Sequence, residues 1–295
     1  MVNTWQTVPI GFGAEEAWRK IVENRLGKVG KIICDAFGDC TVRVGEGEPT
    51  AAFEVSADAP SLVVTYIEEN GAVSVEQIGD STALRQCPVT NGSLRGVLRE
   101  KDGKLAADFG FGNRENAEKH LRQGDILCFD APCVTLCDGG TVTAFAGKRA
   151  CVEAMLRTAE AMTEGNALFI FTVQNTARFR GAAPGAYSVP DGCPIVWLES
   201  GAGKGINVLV ADKSAVYDNT VTRRLTEAAK KAGIAANQTV DKDNQSGAVY
   251  AMTAGKGHPV GVLRLPCVSC GTPTETVRES DIDAAAKVLE AFIKG

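Results

Sequence analysis

Between residues 15 and 26 apolar side chains recur at near-helical spacing, with Ala17, Ile21, Val22 and Leu26 on one side, and this spacing predicts an amphipathic helix. Short apolar runs follow at 31–34, 41–44, 52–55 and 62–67, set apart by Gly38, Gly45, Gly47 and Pro49, and these read as strands. The β texture continues through runs at 72–78, 94–100, 105–110, 126–129 and 142–145. One short helix over 114–122 interrupts it, with Asn113 placed to cap its first turn. After Gly147 the pattern changes to helices alternating with apolar strands. The helices fall at 149–163, 219–232, 246–254 and 280–293, and the strands at 167–173, 194–198, 205–210 and 260–265.

Apolar strands that alternate with helices imply a mostly parallel sheet covered on both faces. The chain therefore reads as an α/β protein. Residues 1–70 and 141–295 form one discontinuous α/β domain, and the β-rich stretch 71–140 is inserted into it. No internal repeat or low-complexity tract is present.

Composition narrows the function classes. With 295 residues and 44% hydrophobic residues the chain can bury a sizeable core. A net charge of −5, with no cluster of Lys and Arg among aromatics, argues against a nucleic-acid binder. The longest apolar runs, such as 167–173, are too short to cross a bilayer, so no membrane partner is expected. Residues 1–12 lack a basic segment followed by an apolar one, which sets the expectation of a cytoplasmic protein whose ten Cys are reduced thiols.

Several catalytic signals fail on inspection. Gly201-Ala-Gly-Lys-Gly205 lacks the Ser or Thr that a phosphate loop carries after its Lys. Asp108-Phe-Gly110 stands without any other kinase element, and there is no Gly-x-Ser-x-Gly elbow. Only two His are present: His120 ends a polar helix and reads as a surface residue, and His258 lies in a Gly-rich turn. Cys267-Val-Ser-Cys270 follows a strand and has the spacing of half a zinc site or a redox pair, though the simpler reading is a pair of pocket-lining thiols.

Two longer stretches carry a family resemblance. Residues 171–182, Phe-Thr-Val-Gln-Asn-Thr-Ala-Arg-Phe-Arg-Gly-Ala, are similar to the signature FTVQEEVGLRGA of the M42 metallo-aminopeptidases, agreeing at Phe171 to Gln174 and at Arg180 to Ala182. Residues 108–125 are similar to the family's stretch DIGASSKEEAEKLGIKIGD. The resemblance covers the chain from the first helix to Ile293, and it implies an α/β/α zinc-exopeptidase-like domain interrupted by a small β-barrel. It also implies a homo-oligomer.

Family chemistry uses two metal ions held by imidazoles and carboxylates, with a Glu as general base to metal-bound water. Compared position by position, this chain departs from that set. The first His corresponds to Tyr66 in Tyr66-Ile-Glu-Glu69, with Glu68 beside it. The bridging Asp falls in Phe145-Ala-Gly-Lys-Arg149, which holds no carboxylate. The paired Glu become Asn175 and Thr176, the next Asp becomes Glu199, and the last His falls on Gly271. The resemblance thus implies a degenerate pocket of Tyr66, Glu68, Asn175, Thr176, Glu199, Cys267, Cys270 and Gly271, with no catalytic residue, no metal and no cofactor. Its ligand would be a peptide or small molecule; the alternative is a hydrolase with an altered metal or Cys-based site. Arg178 and Arg180, in the loop after the signature strand, read first as surface charge and second as an anion contact.

Overall fold

The computed structural model describes residues 10–79, 86–101, 103–130 and 133–295, so most of the N-terminal segment read for a leader lies outside the described residues. The chain opens with helix α1 (Glu16–Leu26) and strands β1 (Lys31–Cys34), β2 (Cys40–Val44) and β3 (Ala51–Ser56). It then enters β4 (Ser61–Ile67), β5 (Val73–Ile78), β6 (Pro88–Thr90), β7 (Arg95–Lys101), β8 (Lys104–Asp108), α2 (Arg114–Glu118) and β9 (Ile126–Phe129). The return passes through β10 (Val134–Thr135), β11 (Gly140–Thr143), α3 (Ala146–Ala161), β12 (Ala167–Thr172) and α4 (Ala182–Tyr187). Next come β13 (Ile195–Ala202), β14 (Ile206–Asp212), α5 (Asn219–Lys231), β15 (Ala236–Asp241) and α6 (Ala248–Met252). The last elements are β16 (Val260–Cys267), β17 (Glu275–Arg278) and α7 (Glu279–Lys294).

Eight strands form the main sheet in the order β1-β2-β12-β3-β13-β16-β14-β15. Its centre, β12-β3-β13-β16, is parallel throughout, while the β1-β2, β2-β12 and β14-β16 junctions are antiparallel. The sheet is therefore mixed, with its parallel part where both faces are covered. Every residue of β3 and β12 is buried, as a strand between two helical layers must be. The two-residue period sorts their side chains. Phe53, Val55, Phe169, Phe171 and Leu198 join one core cluster with residues of α1, α3, α5 and α7. Ala52, Ile170, Ile195 and Trp197 face the other way, packing with residues of α4 and α6.

A closed barrel is made by β4-β5-β8-β7-β6-β9, filled by Leu62, Val64, Val73, Val75, Val89, Leu98, Ala107 and Leu127. Strand β4 is a barrel strand, whereas the sequence reading assigns 62–67 to the α/β part ahead of the insertion. The apolar run there is real, but its partners are β5 and β9 and not the main sheet. Among the described residues no helix is long and apolar enough to cross a membrane. Two pairs of the Cys expected as thiols are disulfides, Cys34–Cys40 and Cys267–Cys270.

Candidate functional site

Parallel strands in such a sheet deliver their carboxyl ends to one edge, where ligands bind in open α/β sheets. Here those ends belong to β12, β3, β13 and β16. Strand β3 ends at Ser56, and two residues on Asp58 is fully buried. Its carboxylate accepts from Ser56 Oγ at 3.1 Å, from the Asn175 N–H at 3.0 Å and from the Thr176 N–H at 2.8 Å. Asp58 thus ties the end of β3 to the loop that follows β12.

That loop is unusual in its backbone. Gln174, Arg178 and Phe179 all sit in the left-handed region, with φ of 56°, 66° and 54°. Non-Gly residues enter that region only where their surroundings hold them. Asn175 supplies part of the hold: its Nδ2 donates to Thr172 Oγ1 at 2.6 Å and its Oδ1 accepts from the Ala182 N–H at 3.0 Å. Its role is structural. Thr176 Oγ1 is buried without a hydrogen-bond partner among the described residues.

Lys148 enters from the first turn of α3, and its Nζ donates to Ser56 Oγ at 3.2 Å. A buried acid fixes the start of that helix. Glu275, on β17, accepts from the Gly147 N–H at 2.7 Å and also from the Gly271 N–H. Burial raises the Glu275 carboxyl above its ordinary range, while the Gly147 and Gly271 N–H groups and the nearby Lys148 and Arg149 charges pull it back. Gly147 has no room for a side chain, since a Cβ there would meet Ser200 Oγ at 2.3 Å. Gly271, with φ of 77°, contributes its backbone to this arrangement.

Glu199 on β13 is fully engaged. Its Oε1 accepts from Arg264 Nε at 2.8 Å and Nη2 at 2.6 Å, and its Oε2 accepts from Ser246 Oγ at 2.6 Å. Arg264 reaches Asp241 as well, Nη1 to Oδ2 at 2.6 Å. Burial would raise Asp241, but the Asn244 N–H and the Arg264 guanidinium bring it down to about 2. Arg264 itself is raised against its desolvation by the two carboxylates.

Three hollows share lining residues here. A small one of about 150 Å³, the neck, is lined by Ser56, Lys148, Cys151, Trp197, Glu199 and Gln245. On one side it meets a hollow of about 670 Å³ beside Glu199, Asp241, Arg264 and Cys270. On the other it meets a cleft of about 830 Å³ bounded by Gln77 and Ile78 of the barrel and by the loop carrying Asn175, Thr176, Arg178 and Arg180.

The structure brings together Asn175, Thr176, Glu199 and Cys270 along these hollows, while Cys267, buried, lines a separate small hollow with Lys204 and Arg278. Tyr66 and Glu68 lie elsewhere. Tyr66 is on the barrel, half exposed, with the Arg114 guanidinium over its ring at 4.8 Å and bonded to its hydroxyl. Glu68 accepts from Ser74 Oγ at 2.7 Å across the β4-β5 hairpin. The strand that ends at this edge is β3, so Ser56 and Asp58 hold the places assigned to Tyr66 and Glu68. Lys148, Gln245 and Arg264 are further site residues absent from the sequence reading. Of the two His, His120 is exposed and stacks on Phe111 at 5.5 Å, and His258 is buried in its turn.

Comparison with known proteins agrees with this architecture. Residues 40–288 match the family model described as M42 glutamyl aminopeptidase. A curated Acetivibrio thermocellus protein, named as a candidate aminopeptidase, is 26% identical over 96% of this chain and 94% of its own length. The TET1 peptidase of Pyrococcus horikoshii, described as assembling into a tetrahedron or a large octahedral shell, superposes with a TM-score of 0.88. It is 23% identical, over 98% of this chain and 97% of its own. The TET aminopeptidase of a marine sediment thaumarchaeon reaches a TM-score of 0.91 at 17% identity, covering 99% and 94% of the two chains.

Proposed function

The chain belongs to the M42 glutamyl aminopeptidase family, and within it we propose a non-hydrolytic member: a binding or regulatory homologue that keeps the pocket at the sheet's carboxyl edge but not a dinuclear metal centre. The observation that carries this reading is the ammonium of Lys148, 3.2 Å from Ser56 Oγ, at the strand end where the fold gathers its functional side chains. A fixed cation there opposes the entry of a divalent one.

The donor set supports the same reading. Zinc needs about three or four ligands with lone pairs to give, drawn from imidazole, thiolate and carboxylate. Glu199 directs both oxygens at Arg264 and Ser246, and Asp58 accepts three hydrogen bonds from protein donors. Among the described residues no group of three or more His, Cys, Asp or Glu is placed to hold a metal ion. The side chains present do not fit a pair of divalent ions. An Asn in place of a Glu also removes the general base, because an amide does not take up a proton near neutral pH.

The ligand in this reading is a peptide or small molecule, the protein is cytoplasmic, and it is a homo-oligomer, as the assembly of the P. horikoshii peptidase suggests. Turnover tests it. Protein freed of contaminating peptidase, assayed on aminoacyl p-nitroanilides with and without added Zn²⁺ or Co²⁺, is expected to release no product above a blank. Metal-dependent release that co-purifies with the chain would overturn it.

A further inference from the structure

The cleft of about 830 Å³ is lined by Lys148, Arg178 and Arg180 and, among the described residues, by no Asp or Glu. Lys148 has a hydroxyl as its hydrogen-bond partner, and among the described residues none of the three cations has a carboxylate within ion-pair distance. Arg25, Arg114, Arg157 and Arg264, by contrast, are each matched by acids. From this charge pattern we infer that the cleft binds a small organic oxyanion, a carboxylate or phosphate carried on a molecule of metabolite size, with Lys148 at its inner end and Arg178 and Arg180 at its mouth.

Two further features point the same way. The loop that presents Arg178 and Phe179 keeps both in left-handed conformations, with φ of 66° and 54°, and is pinned from below by Asp58. Thr176, beside them in the lining, has a buried hydroxyl with no partner among the described residues. The volume suits an organic ligand and exceeds what a bare inorganic ion fills, since small-molecule sites span about 300–1,000 Å³. The stacked rings of Phe179 and Tyr250, 5.5 Å apart, supply an apolar wall for the carbon part. Arginine forks match carboxylate and phosphate oxygens in pairs, while a lysine acts as a point charge.

This inference rests on the reading that no divalent pair occupies the neck, because bound cations would change what the cleft attracts. The test is calorimetric titration of the full-length protein at constant ionic strength with citrate, inorganic phosphate and N-acetyl-glutamate, with N-acetyl-glutamine as the uncharged control. At least one anion is expected to bind saturably while N-acetyl-glutamine does not. Preference for phosphate over the carboxylates, or the reverse, identifies the head group. Lys148→Met should weaken that binding about tenfold or more, the loss of one desolvated charge contact. If Lys148→Met does not fold, the Arg178→Ala/Arg180→Ala double variant at exposed positions serves in its place, with the same expected loss.

Failure of all three anions to bind, or binding unchanged in the variants, overturns the inference. Metal content measured on the same preparation separates the two readings. Absent metal together with absent anion binding sinks only this inference, whereas two bound ions with turnover sink the reading beneath it.

Discussion

Lys148 Nζ and Ser56 Oγ stand 3.2 Å apart, and Ser56 Oγ in turn lies 3.1 Å from Asp58 Oδ1. This chain of ammonium, hydroxyl and buried carboxylate joins the first turn of α3 to the end of β3. The protein's own lysine thus sits one hydroxyl away from the acid that the fold buries.

Asp58 is predicted to be a stability residue. Replacing it with Ala leaves the Asn175 and Thr176 N–H groups without their acceptor in a buried setting. Unpaired buried donors cost about 1–3 kcal/mol each, so chemical denaturation of Asp58→Ala should show a loss of about 3 kcal/mol. An unchanged midpoint would mean that the loop finds other acceptors and that the tie does not hold it.

The Arg264 network gives a second prediction. Arg264 is mostly buried between Glu199 and Asp241, so Arg264→Ala strands two carboxylates. Breaking such a pair typically costs about 3–5 kcal/mol, because the remaining charge is uncompensated. Adding Glu199→Gln to that variant should recover part of the loss. The pH dependence has a definite sign. Asp241 is held down to about 2 in the fold, so its contribution is present above its ordinary value near 3.8 and is lost as the pH falls towards 2. Urea melts of the native chain between pH 5 and 2 should show that decline, and Arg264→Ala should blunt it.

A buried pair of acids on the far side of β3 predicts the opposite trend. Burial pushes Asp39 up to about 8 against the hydrogen bond from the Val173 N–H, and Glu54, fully buried with neither carboxyl oxygen partnered among the described residues, is also raised. Between roughly pH 4 and pH 8 the fold keeps a proton on Asp39 that the unfolded chain has released, so stability falls as the pH rises through that window. The slope from one such group is at most about 1.4 kcal/mol per pH unit. Asp39→Asn should flatten it in part, leaving the share of Glu54. An identical slope in the variant would contradict the assignment.

The fold was largely legible because its strongest elements carry their own pattern. Strand β12 is an unbroken apolar run, and α5 and α7 keep one apolar face over their full length. Strand β15 escaped because Ala236 to Asp241 is a polar edge strand: its backbone pairs with β14, but it buries little, so hydropathy gives no signal. Helix α4 escaped because Pro184 and Gly185 lie inside it. Asn175 and Thr176, in the loop after β12, and Glu199, on β13, came from the family resemblance, and they line the hollows at the sheet's carboxyl edge. Tyr66 and Glu68 misled because β3 and β4 are both apolar runs followed by an acid, and only pairing partners reveal which of them ends at the sheet's edge. Lys148 was passed over inside Phe145–Arg149, the stretch in which the resemblance looks for an Asp. Its charge gains meaning from Ser56, a neighbour 92 residues away in sequence.

Metal content decides whether the sheet's carboxyl edge holds divalent ions. The purified chain, dialysed against Zn²⁺ or Co²⁺ and then against metal-free buffer, should retain well under one ion per chain by plasma mass spectrometry. Lys148→Asp, which removes the internal cation and adds a ligand, should retain more. Two ions held by the unaltered chain through dialysis would contradict the account, for Lys148 would then have to yield its place beside Ser56 to them.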